Sequence, residues 1–293
     1  MNEAIANAAT VGAQIDAVET ELQAAGLFFG HGTDNPRDEA AALVYFVCDL
    51  EHDGDASAYQ RAVSDAERAE IRQLTDTRIK TRTPLAYLTG EAWFAGLRFR
   101  VDQRVLVPRS PLAELIVPQF SPWVEPGNVR RILEIGTGSG CIAIACAHAF
   151  PDAEVVATDI SADALAVAAA NAADHGVTGR LRLVETDHTD GVDGSFDLIV
   201  SNPPYVPVAE EAAIPAEYRH EPALGLYSGA DGLDSARRIL QDAPLLLSDQ
   251  GVLALEVGAQ WQQLEQAFPH LPFTWVEFGS GGEGVALIFR ADL

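Results

Sequence analysis

Positive charge is scarce in this chain. Against 43 Asp and Glu there are 19 Lys and Arg, Lys80 is the single lysine, and the formal net charge is −24. That balance argues against a surface that tracks phosphate backbones, because such interfaces are built from Lys and Arg. A basic polypeptide is the better electrostatic partner. An acidic, lysine-poor surface is equally a solvent adaptation, so charge alone leaves the partner open. Cysteine is also sparse. Cys48, Cys141 and Cys146 are odd in number and lack metal-ligand spacing, so they are expected as small buried hydrophobes in a reducing compartment, with no metal site. No basic segment followed by an apolar stretch opens the chain, and no window reaches the roughly 20 apolar residues of a membrane span. The expectation is a cytoplasmic protein without a membrane partner. Internal repeats and low-complexity segments are absent.

What is present is ordinary globular material, 48% hydrophobic and 8% aromatic over 293 residues, enough for one large or two unequal domains. Over residues 2 to 25, Val11, Ile15, Val18 and Leu22 fall on one helical face, ended by Gly26. Asn35-Pro36 announces a second helix with Asp38 and Glu39 in its first turn and a stripe of Leu43, Phe46, Val47 and Leu50. A third helical pattern is expected from about Asp55 or Ser57, carrying Tyr59, Val63, Ala66, Ile71 and Leu74, before Pro84. The spacing thus predicts a helical domain over residues 1–88.

Alternation follows in Trp93 to Val101 and again in Val105-Leu106-Val107. With Gly96 central and a turn at Asp102-Gln103, this reads as a β-hairpin connector over 89–110. Between Arg78 and Arg109 seven basic residues (Arg78, Lys80, Arg82, Arg98, Arg100, Arg104, Arg109) face two acidic ones, Glu91 and Asp102. This is the chain's basic island. From 111 to 293 strands and helices alternate, with strands expected near 130–135, 154–158, 180–185, 196–201, 251–257, 273–278 and 284–289. Such alternation implies an α/β domain, a mostly parallel seven-stranded sheet covered on both faces. The last two strands, joined by Gly279 to Gly284, are expected as an antiparallel hairpin at the sheet edge.

Chemistry gathers at strand ends. Ile132-Leu133-Glu134-Ile135 runs into Gly136-Thr137-Gly138-Ser139-Gly140 and a helix, a turn that lets a ligand approach bare main chain. The Gly-x-Gly-x-Gly spacing puts Cys141 where a dinucleotide fingerprint has its third glycine, which weakens a pyrophosphate reading. Asp159 closes the next strand, where a carboxylate can accept both hydroxyls of a ribose, and Asp187 ends the third at the height of an adenine edge. The fourth, Phe196 to Ser201, is stopped by Asn202-Pro203-Pro204-Tyr205. Two prolines donate no backbone hydrogen bond, which leaves the carbonyls of Asn202 and Pro203 free to accept. An amide side chain and a flat ring beside them suit a planar group bearing an NH2.

These residues together resemble class I S-adenosylmethionine-dependent methyltransferases acting on planar amines. Leu106-Val107-Pro108-Arg109-Ser110-Pro111 and Tyr218-Arg219-His220-Glu221-Pro222-Ala223-Leu224-Gly225-Leu226 narrow the likeness to the HemK-type protein-(glutamine-N5) methyltransferases. The Val-Pro-Arg-Ser-Pro form is similar to their PrmB branch, which methylates a glutamine of large-subunit ribosomal protein uL3. The sister branch, acting on peptide-release factors, has Pro-Arg-Pro-Asp-Thr-Glu in that place. The likeness runs from about residue 83 to the end. It implies a Rossmann-like fold and S-adenosylmethionine as cofactor, held by Glu134, Gly136, Thr137, Gly138, Gly140, Asp159, Asp187 and Asn202. It implies catalysis by Asn202, Pro203 and Tyr205, and a substrate site of those residues with Pro204, Arg109 and Glu221. The sister branch has Trp after the acid at 187, whereas this chain has His188, so stacking by that residue is open.

The expected partner is the large-subunit ribosomal protein, free or in an assembling particle, with Arg98, Arg100 and Arg104 touching ribosomal RNA there. Three other readings stand beside this one: a release-factor glutamine methyltransferase, an adenine amine methyltransferase of nucleic acid, and a non-catalytic ribosome-assembly factor.

Overall fold

The computed structural model describes residues 4–51, 56–279 and 281–293. By compactness the chain forms two units, one of Met1–Glu91 with Pro215–His220 and one of Ala92–Ile214 with Glu221–Leu293.

The first unit is helical. Helix α1 spans Ala4–Asn7, α2 Val11–Ala24, α3 Pro36–Val47, α4 Asp65–Thr81 and α5 Leu85–Thr89. The expected helix over 2–25 is interrupted, because the side chain of Thr10 caps a new start by accepting from Ala13 N–H. Residues 2 and 3 of that expectation lie outside the described residues. Asn35 caps α3 as expected, its Oδ1 accepting from Asp38 N–H at 2.9 Å. The third helix begins later than anticipated. Ala56–Gln60 is a 3-10 turn, and α4 starts at Asp65 behind a capping box in which Ser64 and Glu67 satisfy each other's backbone N–H; Asp55 lies outside the described residues. The apolar faces meet in one core that includes Val11, Ile15, Val18, Leu22, Leu43, Val44 and Ile71. At its edge Arg78 is 1% exposed, bonded to Glu39 at 2.8 Å and to the carbonyl of Phe28 at 2.9 Å. Its NH1 lies 3.4 Å from Glu217 of the hexapeptide Pro215–His220.

In the second unit β1 (Glu91–Phe94) and β2 (Leu97–Arg100) form the hairpin. Its reversal falls at Ala95-Gly96, both at positive φ, rather than at Asp102-Gln103, and residues 105–107 are not a strand. The short helix α6 (Ala113–Ile116) follows. The sheet contains β3 (Arg131–Ile135), β4 (Glu154–Asp159), β5 (Leu181–Glu185), β6 (Phe196–Ser201), β7 (Leu247–Glu256), β8 (Thr274–Trp275) and β9 (Val285–Phe289), in the order β5-β4-β3-β6-β7-β9-β8. The pairs β3–β4, β3–β6, β4–β5 and β6–β7 are parallel. The expected terminal hairpin is present, with β9 inserted antiparallel between β7 and β8. Strand β8 is two residues long, not the six anticipated, and Ser280 of its connection lies outside the described residues.

Helices α7 (Cys141–Ala149), α8 (Ala162–Asp174), α9 (Asp234–Leu246) and α10 (Trp261–Ala267) cover the sheet. Alternate residues of the central strands feed two cores, Ile132, Leu198 and Val200 on one face and Leu133, Ile199 and Leu253 on the other. The three cysteines are buried thiols, as their spacing suggested. Among the described residues no helix is long and apolar enough to cross a membrane.

Candidate active site

The parallel strands β3, β4, β5 and β6 all end on one side, and their carboxyl ends open onto a cavity of about 360 Å³. Open α/β sheets bind ligands there, because the connections diverge to either face and leave a crevice.

The floor is the turn after β3. Gly136 and Thr137 donate their N–H groups to Thr158 O at 2.9 and 2.8 Å, which ties the turn to the end of β4. Gly136 and Gly138 have φ of +77° and +54°, and a Cβ built on either would meet nothing within 4 Å. The conformation excludes ordinary side chains, and the space beside it is left for a ligand. Gly140 answers a different need: with φ +81°, its Cβ would sit 3.1 Å from that of Ala168 on α8. Glu134, fully enclosed, accepts from Thr137 Oγ1 at 2.5 Å and from Ala143 N–H at 2.9 Å, so it braces the turn from behind. Burial pushes its carboxyl up to about 8, against the pull of those two donors.

Asp159 reaches the rim from β4. Oδ2 accepts from Gly138 N–H at 2.8 Å and Oδ1 from Ser161 N–H at 2.9 Å, which leaves each oxygen a further lone pair. Burial raises its pKa from the ordinary value while these N–H groups oppose the rise. Asp187 is exposed beyond β5 and lies 2.6 Å from His188 Nδ1; both line the cavity. His188 has φ +52°, and its carbonyl accepts from Thr158 Oγ1 at 2.8 Å.

Asn202, Pro203 and Pro204 line the cavity from the end of β6, the strand beside β3. Ser201 donates to Ile135 O at 2.7 Å, locking the ends of β6 and β3 together just before Asn202. Past the prolines, Val206 N–H donates to Leu226 O at 2.8 Å and Ser228 N–H to Val206 O at 3.0 Å, so the turn is held at both ends. Tyr205 is not among the lining residues; its hydroxyl donates to Glu256 Oε1 at 3.4 Å. Arg109 lines the cavity and forms a two-pronged ion pair with Glu221 at 2.5 and 2.9 Å, while Glu221 also accepts from Val107 N–H at 3.0 Å. Of the site residues anticipated from sequence, Glu134, Gly136, Thr137, Gly138, Asp159, Asp187, Asn202, Pro203, Pro204 and Arg109 line this cavity, and Gly140, Tyr205 and Glu221 do not.

Sequence reasoning passed over several lining residues. Ile160, 50% exposed, follows the strand-ending acid directly, and Leu224 is exposed on the other side. A large apolar side chain left at solvent in a polar turn was the available signal. Leu106, Tyr227, Ser228 and Asp234 carry no such mark. The basic island reads differently in three dimensions. Arg78 is buried, Arg100 pairs with Asp174 and Arg104 with Asp102.

The sheet order with its inserted antiparallel strand, and the glycine turn facing an Asn-Pro-Pro-Tyr segment, define a class I S-adenosylmethionine-dependent methyltransferase fold. The family model described as "Methyltransferase small domain" matches residues 113–216, and that of the "PrmC N-terminal domain" matches residues 21–90. Proteins named "Ribosomal protein uL3 glutamine methyltransferase" from Neisseria meningitidis serogroup A and Neisseria gonorrhoeae are 47% identical over 92% of this chain, covering 89% and 90% of their own lengths. One of the same name from Bordetella pertussis is 47% identical over 94% of this chain and 93% of its own. The chain belongs to the uL3 glutamine methyltransferase family.

Proposed function

We propose that this protein methylates the side-chain amide nitrogen of a glutamine in ribosomal protein uL3, with S-adenosylmethionine as methyl donor. The observation that carries the reading is the meeting, at one cavity, of an open glycine turn, Asp159 and the acceptor turn Asn202-Pro203. The donor suits the residues present. Space where Cβ atoms would lie at Gly136 and Gly138 admits it against main chain, and the remaining lone pairs of Asp159 suit a ribose. Asp187 and the apolar side chain of Ile160 suit an adenine, while Thr137, braced by Glu134, belongs to the turn that would meet the amino-acid part. When bound, the donor supplies an electrophilic sulfonium methyl.

A glutamine amide is a poor nucleophile because its lone pair is delocalised into the carbonyl. Asn202 Oδ1 and the Pro203 carbonyl accept its two N–H bonds, which orients the nitrogen and favours the form in which conjugation is lost. Positive charge grows on nitrogen as the new bond forms. Two fixed acceptors therefore act more strongly in the transition state than on the resting amide. Once methylated the nitrogen is acidic, and its proton leaves to water. The Arg109–Glu221 pair holds the strand of wall that carries Pro108 and contributes shape to the amide slot.

The test is mass spectrometry of large-subunit proteins from cells with and without the gene, repeated with purified protein and uL3. A difference of about 14 Da, one methyl, on a uL3 glutamine is expected. Methylation of a release factor in its place, or of neither, overturns the reading.

The same proposal extends to the assembling particle, with Arg98, Arg100 and Arg104 meeting ribosomal RNA. Support comes from the exposure of the Arg100–Asp174 and Arg104–Asp102 pairs. Water screens exposed pairs of this kind, so exchange of carboxylate for phosphate costs little. Charge reversal at the three arginines is expected to slow methylation of particles more than of free uL3. Equal slowing of both removes this part of the proposal.

A further inference from the structure

Next to the acceptor turn lies a buried carboxylate that touches neither the amide nor the donor in the proposed reaction. Glu256 ends β7, next to the strand whose end is Ser201, and is 3% exposed. Its Oε1 receives the hydroxyl of Tyr205 at 3.4 Å, and its Oε2 receives the hydroxyl of Ser110, which also accepts from Leu112 N–H at 3.1 Å. Ser110 lines the cavity, as do Asn202, Pro203 and Pro204 immediately before Tyr205. One carboxylate thus joins two walls.

Tyr205 is placed closely on its other sides. A Cβ at Gly258 would lie 2.8 Å from the ring, and one at Gly232 would lie 2.3 Å from the Tyr205 carbonyl. A residue so confined, two positions after Pro203, fixes where the Pro203 carbonyl stands. Displacing such an acceptor by about 1 Å can cost about 100-fold in rate.

We propose that Glu256 is a positioning residue of methyl transfer, holding the Asn202–Tyr205 turn through Tyr205 and the facing wall through Ser110. The proposal rests on the amide-methylation reading above. The ionised carboxylate accepts both hydroxyls as charge-assisted hydrogen bonds. A proton on Oε2 reverses the Ser110 contact, so that the Ser110 oxygen accepts with its second lone pair while its own proton turns elsewhere, and both contacts of the carboxyl weaken from charge-assisted to neutral. Burial pushes Glu256 up to about 7, while Ser110, the Arg109 guanidinium and Tyr205 each pull it down. Among the described residues these are the polar and charged groups that act on it, with Glu221 paired to Arg109. From β9 the neighbour is Val285, which is apolar. Protonation near neutral pH thereby loosens the acceptor turn.

The experiment measures kcat for uL3 methylation from pH 5.5 to 8.5 in wild type, Glu256→Gln and Ser110→Ala, beside calorimetric titration with S-adenosylmethionine. Wild-type kcat is expected to fall about tenfold from pH 8 to pH 6, as the ionised fraction of a group titrating near 7 falls. Glu256→Gln should be slow and lack that inflection, with donor affinity unchanged within twofold. Ser110→Ala should move the inflection to higher pH, because it removes a donor that favours the ionised form. An inflection that persists in Glu256→Gln, or stays in place in Ser110→Ala, overturns the proposal. If Glu256→Gln does not fold, as thermal unfolding will tell, Ser110→Ala decides alone. A wild-type protein that methylates nothing refutes the proposed function instead, and an active one whose profile ignores both variants refutes only this inference.

Discussion

On the proposed reading, Asn202 and Asp159 line one cavity with separable tasks. Asn202→Ala removes an acceptor whose work is done as charge develops, so methyl transfer should fall by about 100-fold or more while calorimetric affinity for the donor stays near wild type. Near-normal turnover would remove Asn202 from catalysis. Asp159→Ala should act in reverse, with donor affinity lowered roughly 10–100-fold by the loss of charge-assisted hydrogen bonds. Part of that loss comes from the turn itself, since Asp159 also accepts from Gly138 N–H. Asn202, Asp159 and the glycines were legible in the sequence because each ends an apolar run and is of a kind no core needs. Glu256 was not legible. It ends a strand just as Glu185 does, and only the approach of Tyr205 and Ser110, 51 and 146 residues away, separates the two.

At the scale of elements, local signals succeeded where one side chain decides the outcome and failed where neighbours do. Asn35-Pro36 announced α3 through a hydrogen bond spanning three residues. Ser64-Asp65-Ala66-Glu67 held an equally local signal for α4, overridden in reading by an apolar spacing that runs on through the 3-10 turn. Strand β8 was overestimated because Phe273 to Phe278 alternates well although the paired register with β9 stops at Trp275, Val276 adding one N–H bond to Val285 O at 3.0 Å. The junction of turn and helix at Gly140 offers a test of packing at this scale. Gly140→Ala puts a Cβ against Ala168 and forces a left-handed conformation, so denaturant unfolding should show a loss of about 1–2 kcal/mol. Full stability would mean that α7 and α8 part freely.

For the molecule as a whole, the buried acid Glu134 makes stability depend on pH in an unusual direction. Its folded-state pKa, about 8, lies above the ordinary 4.5. The folded protein therefore holds a proton that the unfolded chain releases, and stability falls as pH rises from about 4.5 to 8 and levels off above. Glu256 adds a contribution of the same sign up to about 7. Thermal unfolding of Glu134→Gln between pH 5 and 9 should show a smaller decline than wild type, and parallel curves would place the burial cost elsewhere.

The hexapeptide Pro215–His220 has a consequence for heredity and engineering alike. It belongs to the helical unit although more than a hundred residues of chain precede it after Glu91. Glu217 within it is buried and supplies an acceptor to Phe28 N–H at 3.0 Å as well as a partner to Arg78. The helical unit is therefore not a portable cassette. A fragment cut at residue 91 would leave Arg78 in the interior with one carboxylate fewer, and a graft between relatives must transfer two separate stretches of gene together. Insertion, deletion or recombination between residues 92 and 214 preserves this unit only if it delivers that hexapeptide intact.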